Sequence, residues 1–189
     1  MPEVFRRAAE SLRAAPVRSE VVLEEAPAPQ RLAPHSVAFT ADVIVDGAEL
    51  ATGRLVLLHD PAGHDAWEGT FRLVSYVRAE MEPEIAGDPL LPGVGWAWLT
   101  EALDARGAAY VAPGGTVTRV TSESFGAMAD HPPSAQIEVR ASWTPAVDSA
   151  SPDLAAHLEG WCELLCTAAG LPPLSPGVVA IPPRRARRR

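Results

Sequence analysis

The sequence predicts a single α+β domain, residues 1–175, in which an antiparallel sheet of five to six strands carries two main helices on one face and a short N-terminal helix. Segments of alternating apolar and polar residues fill the middle of the chain, and three other segments repeat their apolar residues at helical spacing. No strand–helix–strand unit with a nucleotide loop interrupts the hairpins, so the strands are expected to pair antiparallel. Residues 176–189 are rich in Pro and Arg and are expected to be disordered.

The N-terminal part of the chain begins with a helix and then changes to strands. Residues 3–15 have apolar residues on one helical face, which predicts a short amphipathic helix. Residues 17–25 are compatible with an edge strand, and the prolines of 26–34 make that segment an extended linker that cannot fully join a sheet. Apolar and polar residues alternate over 37–46, and the Asp-Gly pair that follows predicts a tight turn, because glycine tolerates positive φ.

The next two strands are predicted at 49–59 and 67–81. A bulge is expected at Gly53, because the apolar parity is disturbed around it. The second strand has the most regular alternation in the chain and begins with Trp67 on the inner face. One face of it is therefore expected to join the core, while the other meets water or a partner.

A helix and two strands follow. The helix is expected to run from Leu90 or Gly93 to Arg106, and its apolar stripe is so wide that burial on more than one side is expected. The strands are predicted at 115–125, which is rich in threonine, and at 135–144, which alternates regularly.

The last helix has clear signals at both ends. Ser151 is expected to cap it, Pro152 to be its first residue and Gly170 to follow its end. Trp161 lies in the middle of its apolar stripe and is expected to be buried in the core, whereas Glu163 falls on the opposite face.

The two cysteines, Cys162 and Cys166, lie four residues apart in this helix. Their Cβ atoms are then about 5–6 Å apart, too far for an unstrained disulfide, so reduced and buried thiols are expected. Reduced thiols are typical of the cytoplasm, where the protein is expected to reside. The chain shows no signal-peptide pattern and no 18-residue apolar run, so no membrane partner is expected.

Charge is distributed unevenly along the chain. All 16 basic residues are Arg, and five of them lie in 184–189, so residues 1–183 carry 11 Arg against 24 acids, a net charge of −13. Such a body repels nucleic-acid phosphates, but the tail offers a cluster that can bind them with salt-dependent affinity. The candidate nucleic-acid residues are Arg184, Arg185, Arg187, Arg188 and Arg189. The absence of Lys and Asn is typical of a GC-rich genome, which is an equally good explanation of these arginines.

Five stretches together resemble an uncharacterised actinobacterial family, domain of unknown function 3000. They are LEEAPAPQRLAP (23–34), ATGRLVLLHDP (51–61), AWEGTFRLVSYVRAEMEPE (66–84), GWAWLTEALDARG (95–107) and WCELLCTAAGLPP (161–173). The resemblance covers roughly residues 20–175 and implies a cytosolic bacterial protein. The family has no established activity, so the resemblance implies no catalytic residues here.

Two groups of residues are candidates for a site. Polar side chains on the outward face of the predicted sheet form the first, a binding surface of Arg72, Tyr76, Arg78 and Arg140. Ordinary cross-strand charge pairs explain the same residues equally simply. The second group has the ligand types of a zinc or other divalent metal site: His59, Asp60, His64 and Asp65. Its spacing matches no known ligand motif, and a hairpin turn is the simpler explanation.

No nucleophile elbow, Walker loop, dinucleotide-binding glycine pattern or His-Glu-x-x-His sequence is present, so no catalytic residue and no cofactor are predicted. The leading hypothesis is a non-catalytic intracellular binding or adaptor protein with a protein partner. The predicted order of elements supports it only by analogy of fold, since it is similar to that of small secretion-chaperone-type proteins. Two alternatives stay open: an RNA-associated accessory factor that uses the Arg-rich tail, and a metal-dependent hydrolase at the His59–Asp65 loop.

Overall fold

The computed structural model describes residues 1–148 and 150–174 of the chain. Within them the strands are β1 (Val21–Ala26), β2 (His35–Val45), β3 (Ala48–His64), β4 (Gly69–Met81), β5 (Tyr110–Ser122) and β6 (Ser134–Pro145). The helices are α1 (Glu3–Ala14), α2 (Pro83–Ala86), α3 (Leu91–Ala105) and α4 (Ala155–Ala168). The strands form one antiparallel sheet in the order β1-β2-β3-β4-β6-β5, so the predicted α+β fold is confirmed. The tail predicted at 176–189 lies outside the described residues.

The sheet is built from hairpins. Strands β1 to β4 pair one after another, and the chain then forms α2 and α3 before it returns as β5 at the far edge and β6 between β5 and β4. The turn between β2 and β3 has Asp46 and Gly47 at φ 50° and 79°, as the Asp-Gly pair predicts. β3 runs on to His64, past the end predicted at residue 59, with an irregularity in its pairing to β4 between His59 and His64.

The core lies on the inner face of the sheet, beneath α1, α3 and α4. Trp143 of β6 and Trp161 of α4 have no exposed surface, so the predicted burial of Trp161 is confirmed. α4 begins at Ala155, three residues later than the predicted first residue Pro152, so Ser151 does not cap it. The carboxylate of Asp153 accepts a hydrogen bond from the Ala155 N–H at 3.0 Å. Among the described residues no helix is long and apolar enough to cross a membrane.

Gly53 of β3 marks a close approach and not the bulge predicted there. The irregularity in the β2–β3 pairing lies between Val43 and Ile44 instead. A Cβ atom at Gly53 would lie 2.9 Å from the ring of Trp161 and 2.9 Å from the carbonyl oxygen of Tyr76. The glycine is therefore required because α4 packs directly on the backbone of the strand.

The outer face of the sheet is partly covered. The extended linker after β1 places Ala28 and Ala33 against a small apolar cluster made of Ala38, Val56 and Leu58. Trp67 packs on the same cluster, so its predicted inward position is wrong. It lies in a single 3-10 turn before β4, and the residue after it, Glu68, has a φ of 56°, which breaks the alternation assumed across 67–81. The linker and Trp67 therefore cover one part of the outer face and leave the part towards β5 open.

Candidate functional site

A groove of about 390 Å³ crosses the open part of the outer face, above β3, β4, β6 and β5. Its walls are mainly apolar and include Val56, Val74 and Ala141, while Arg54, Tyr76 and Arg140 bring its polar groups. Val74 is 36% exposed, which is unusual for a valine in a central strand. We call this feature the outer groove.

Two glycines of β5 shape one wall of the outer groove. A Cβ atom on Gly115 would overlap the backbone carbonyl oxygen of Arg140 and lie 2.8 Å from the ring of Trp96. A side chain there is therefore excluded by the backbone of β6 and by α3. Gly114 has open space where its side chain would be. This wall is therefore backbone, with peptide groups facing the groove. By sequence alone the Gly-Gly pair indicates only a turn.

Three side chains form a linked group at the groove. The Tyr76 hydroxyl donates a hydrogen bond to Glu138 Oε1 at 3.0 Å, and Arg140 Nη1 lies 2.7 Å from Glu138 Oε2. The guanidinium of Arg140 also lies 5.0 Å from the centre of the Tyr76 ring, within the range of a cation–π contact. Burial and the carboxylate of Glu138 raise the pKa of Tyr76. The phenol therefore stays protonated and holds the position of Glu138.

Arg72 of β4 is a buried cation whose partners are all neutral. Arg72 is 8% exposed. Its guanidinium donates hydrogen bonds to the carbonyl of Ala112 and to the hydroxyls of Ser142 and Thr144 at 2.8–3.1 Å. Burial lowers the pKa of Arg72, but an arginine remains charged at neutral pH. Ser142 also lines the outer groove, so this charge lies directly behind the groove wall.

The acceptor at Ala112 depends on an unusual backbone conformation. Ala112 has a φ of 48°, which is rare for a residue other than glycine, and it lies where the β5–β6 register shifts between Val111 and Gly114. The predicted strand began only at residue 115, because the irregular pairing before it hides the strand pattern. This bulge aims the Ala112 carbonyl at Arg72.

The net charge around the groove is opposite in sign to the net charge of the chain as a whole. Arg54, Arg72 and Arg140 bring three positive charges to the groove or directly behind it. Two carboxylates oppose them, because Glu138 is paired with Arg140 and the charge of Glu68 acts on Arg72. Residues 1–183 carry a net charge of −13. The outer groove is therefore a locally cationic and apolar site on an acidic protein.

Comparison with known families identifies the chain. The family model described as "Protein of unknown function (DUF3000)" matches residues 1–179. The chain belongs to the DUF3000 family. No curated protein and no solved structure matches it. The family is thus shown, and the resemblance noted in five stretches is confirmed at the level of the family.

The structure of this DUF3000 protein brings together three of the four residues predicted on the outward face. Tyr76 and Arg140 line the outer groove. Arg72 donates a hydrogen bond to Ser142, which also lines the groove. Arg78 also faces outward but lies beyond the groove, opposite Glu138 on β6 and Thr52 on β3. Sequence reasoning missed Arg54, Val74 and the two glycines, because only the pairing of β3, β4, β6 and β5 brings them together.

The four predicted metal ligands are not brought together. His59 is buried on the inner face, where its ring stacks on Phe71 at 4.2 Å and its Nδ1–H donates to the Thr70 carbonyl at 3.0 Å. His64 stacks on Trp67 at 5.1 Å, and the carboxylate of Asp60 accepts a hydrogen bond from a backbone N–H within its own turn. Across the described ranges, no three His, Cys, Asp or Glu side chains, Asp65 included, are arranged to hold a metal ion.

The two cysteines of α4 lie in the core. Cys162 and Cys166 are unpaired and buried, and burial raises their pKa values to about 12 and about 11. Such thiols are unreactive and pack as small apolar groups, as expected. The arginines of 184–189 lie outside the described residues.

Proposed function

We propose that this DUF3000 protein is a non-catalytic binding or adaptor protein that takes an apolar side chain of a polypeptide partner into the outer groove. The observation that carries the proposal is the combination of apolar walls with three guanidinium groups at or directly behind the groove. Apolar walls provide affinity, and the few polar groups set orientation and specificity.

Charge complementarity defines the partner further. The excess of positive charge at the groove favours a segment in which acidic residues flank the apolar one. A volume of about 390 Å³ is near the lower end for ligand pockets, which suits one or two anchoring side chains better than a large cofactor. An acidic and apolar peptide segment therefore fits the site.

The chemistry of the groove favours binding over catalysis. A general base or nucleophile needs a pKa close to the working pH. The pKa of Tyr76 is raised, and the guanidinium groups remain protonated. Their roles are to donate hydrogen bonds and to attract negative charge.

The setting of the protein is part of the same proposal. A cytoplasmic location is supported by two buried, unpaired thiols. A source in a GC-rich actinobacterium is supported by a composition in which all 16 basic residues are Arg.

The experiment is selection from a phage library of random 12-residue peptides with the full-length protein as bait. We expect enriched peptides to combine a large apolar residue with Asp or Glu, and to bind at least about tenfold more weakly to Val74→Asp, in which a carboxylate occupies the groove. Val22→Asp is the matched control, because Val22 is a similarly exposed valine (43%) at the far edge of the same face.

Three results would contradict the proposal. Selection that enriches no peptide above the bait-free background is the first. Enriched peptides that lack acidic residues are the second, since they would remove the role of the arginines. Equal loss of binding in the Val74 and Val22 variants is the third, because the peptides would then bind outside the groove. Circular dichroism of both variants shows that each is folded.

A further inference from the structure

The two edges of the sheet differ in how well they are protected. β1 is six residues long, contains Glu24 and Glu25 and is followed by Pro27. Glu25 is also bridged by Arg13 of α1 at 2.8 Å. Short length, charge and proline are the usual means by which an edge strand avoids pairing with another chain.

β5 lacks these protections over most of its length. It has 13 residues and, within the described residues, pairs only with β6. Residues 114–122 contain no proline, and their one charged residue is Arg119. Arg119 donates to the carbonyls of Ala86 and Asp88 at 3.1 and 2.8 Å, so it is directed towards α2 and away from the free edge. The edge therefore presents nine residues of unprotected backbone.

Exposed apolar side chains are concentrated beside this edge. Val120 lies on β5, and Phe125 and Met128 follow it in the connection to β6, with Phe125 76% exposed. The bonds from Arg119 and the packing of α3 on Val117 bring the segment from α2 to α3 to the same edge. That segment adds Ile85, Leu90 and Val94, of which Leu90 is 72% exposed. Several exposed apolar side chains around one strand edge indicate a protein interface.

The charge of this region decides which partner fits. Residues 105–122 contain no acidic residue and two arginines, in a chain whose residues 1–183 carry a net charge of −13. Two copies of so acidic a protein repel each other over most of their surfaces. In a pairing of two β5 edges, residues 114–122 of the two copies face each other without a carboxylate, so the acid-free stretch coincides with the free edge.

We propose that the protein forms a two-fold symmetric dimer in which β5 of one copy pairs antiparallel with β5 of the other. Maximal pairing over residues 114–122 places Thr118 on the two-fold axis, opposite Thr118 of the second copy. The same register brings Phe125 of each copy towards Val111 of the other, which is itself exposed. The result is a continuous sheet of twelve strands, twice the six of one copy.

Strand pairing and apolar burial act together in this interface. A stable interface buries about 800 Å² on each partner, more than the edge of one strand provides. The exposed side chains beside β5 supply the remaining area. Because a two-fold axis perpendicular to the sheet keeps both outer faces on one side, the dimer presents two outer grooves in the same direction. Dimerisation does not depend on what the grooves bind.

The test is the mass of the full-length protein in solution by sedimentation equilibrium. We expect a mass of about 40 kDa for the wild type, twice the 20.0 kDa of one chain. Thr118→Asp and Thr118→Arg should each be monomeric, because each substitution places like charges opposite one another at the axis. An equal mixture of the two variants should restore the dimer, since Asp then faces Arg. Val22→Asp, on the other edge, and Val74→Asp, in the groove, should remain dimeric.

Any of three outcomes would overturn the proposal. The wild type remaining a monomer at concentrations up to about 100 µM would exclude a stable dimer. A dimer that survives both Thr118 substitutions would place the interface elsewhere. Monomeric variants that do not combine on mixing would show that Thr118 does not meet itself at a two-fold axis. The mass of the wild type decides the first outcome whatever the variants do, and peptide binding by Val74→Asp is scored separately.

Discussion

The two faces of the sheet are formed by the same strands but differ in what packs on them. The inner face packs against the helices, and Trp143 and Trp161 are completely buried between them. The outer face has only a small apolar cluster under the linker, a buried arginine with neutral partners, and an open groove. Stability should therefore reside mainly on the inner face, while substitutions on the outer face should cost less, and least at the open groove. Substitutions on each face test that division.

The largest effect is expected for Trp161→Ala on the inner side. The side chain has no exposed surface and packs against Gly53, so its removal leaves a cavity that the rigid strand cannot fill. We expect the free energy of unfolding to fall by about 3–5 kcal/mol, measured by urea denaturation. Trp98→Ala, in which a partly exposed tryptophan is removed from α3, should cost clearly less. Equal midpoints for Trp161→Ala and the wild type would show that α4 does not form the core.

Acid should also weaken the inner face. The indole N–H of Trp143 donates a hydrogen bond to Nδ1 of His157 at 3.1 Å, which requires that nitrogen to be unprotonated. Burial lowers the pKa of His157 to about 4, although the charge of Asp153 acts to raise it. The unfolded chain therefore binds the proton first, near pH 6.5. This stabilisation is complete above pH 6.5 and is lost as the pH falls towards 4, with a limit of about 3 kcal/mol.

The pH effect can be assigned with two variants. Urea denaturation at pH 7.5 and pH 4.5 should show a smaller pH difference for His157→Gln than for the wild type. His131→Gln removes an exposed histidine outside the core and should leave the difference unchanged. His59, whose pKa is also lowered by burial, and Glu20, whose pKa is lowered by a hydrogen bond from a guanidinium, contribute a residual dependence in the same direction. A full wild-type difference in His157→Gln would exclude the Trp143–His157 bond as its cause.

Arg72→Met tests whether the outer face contributes to stability. The substitution keeps an unbranched apolar chain but removes three hydrogen bonds, leaving the Ala112 carbonyl and two hydroxyls without their donor. We expect a loss of about 2 kcal/mol by urea denaturation, less than for Trp161→Ala. Peptide binding at the groove should also weaken, because one positive charge is gone. A variant more stable than the wild type would show that the desolvation of this cation outweighs its bonds.

The smallest effect is expected for Tyr76→Phe at the groove. The ring remains beside Arg140, and only the hydrogen bond to Glu138 is lost, at a partly exposed position. We expect a change below about 1 kcal/mol in the same denaturation experiment. A loss as large as that of Trp161→Ala would show that the two faces contribute equally to stability.

Features of the fold that depend on neighbouring residues could be predicted from the sequence. The alternation of β2, β4 and β6, the Asp46-Gly47 turn and the apolar stripe of α4 with Trp161 at its centre were all predictable, because the period of a strand or helix is written in the local pattern. The outward position of Arg72, Tyr76 and Arg140 followed from the same alternation. The polar residues that β4 and β6 bring to the candidate site were therefore accessible without the structure.

Tertiary structure alone decided what depends on distant segments. Gly53 is fixed by Trp161 more than a hundred residues later, and Trp67 covers the outer face because the turn before β4 reverses its side. Glu163 falls on the predicted outer side of α4, yet its side chain is only 16% exposed and lies 3.4 and 3.8 Å from Arg106 and Arg18. The outer groove, likewise, exists only because β6 lies between β4 and β5. Strand order and close approach between segments arise from packing over the whole chain, and no local pattern encodes them.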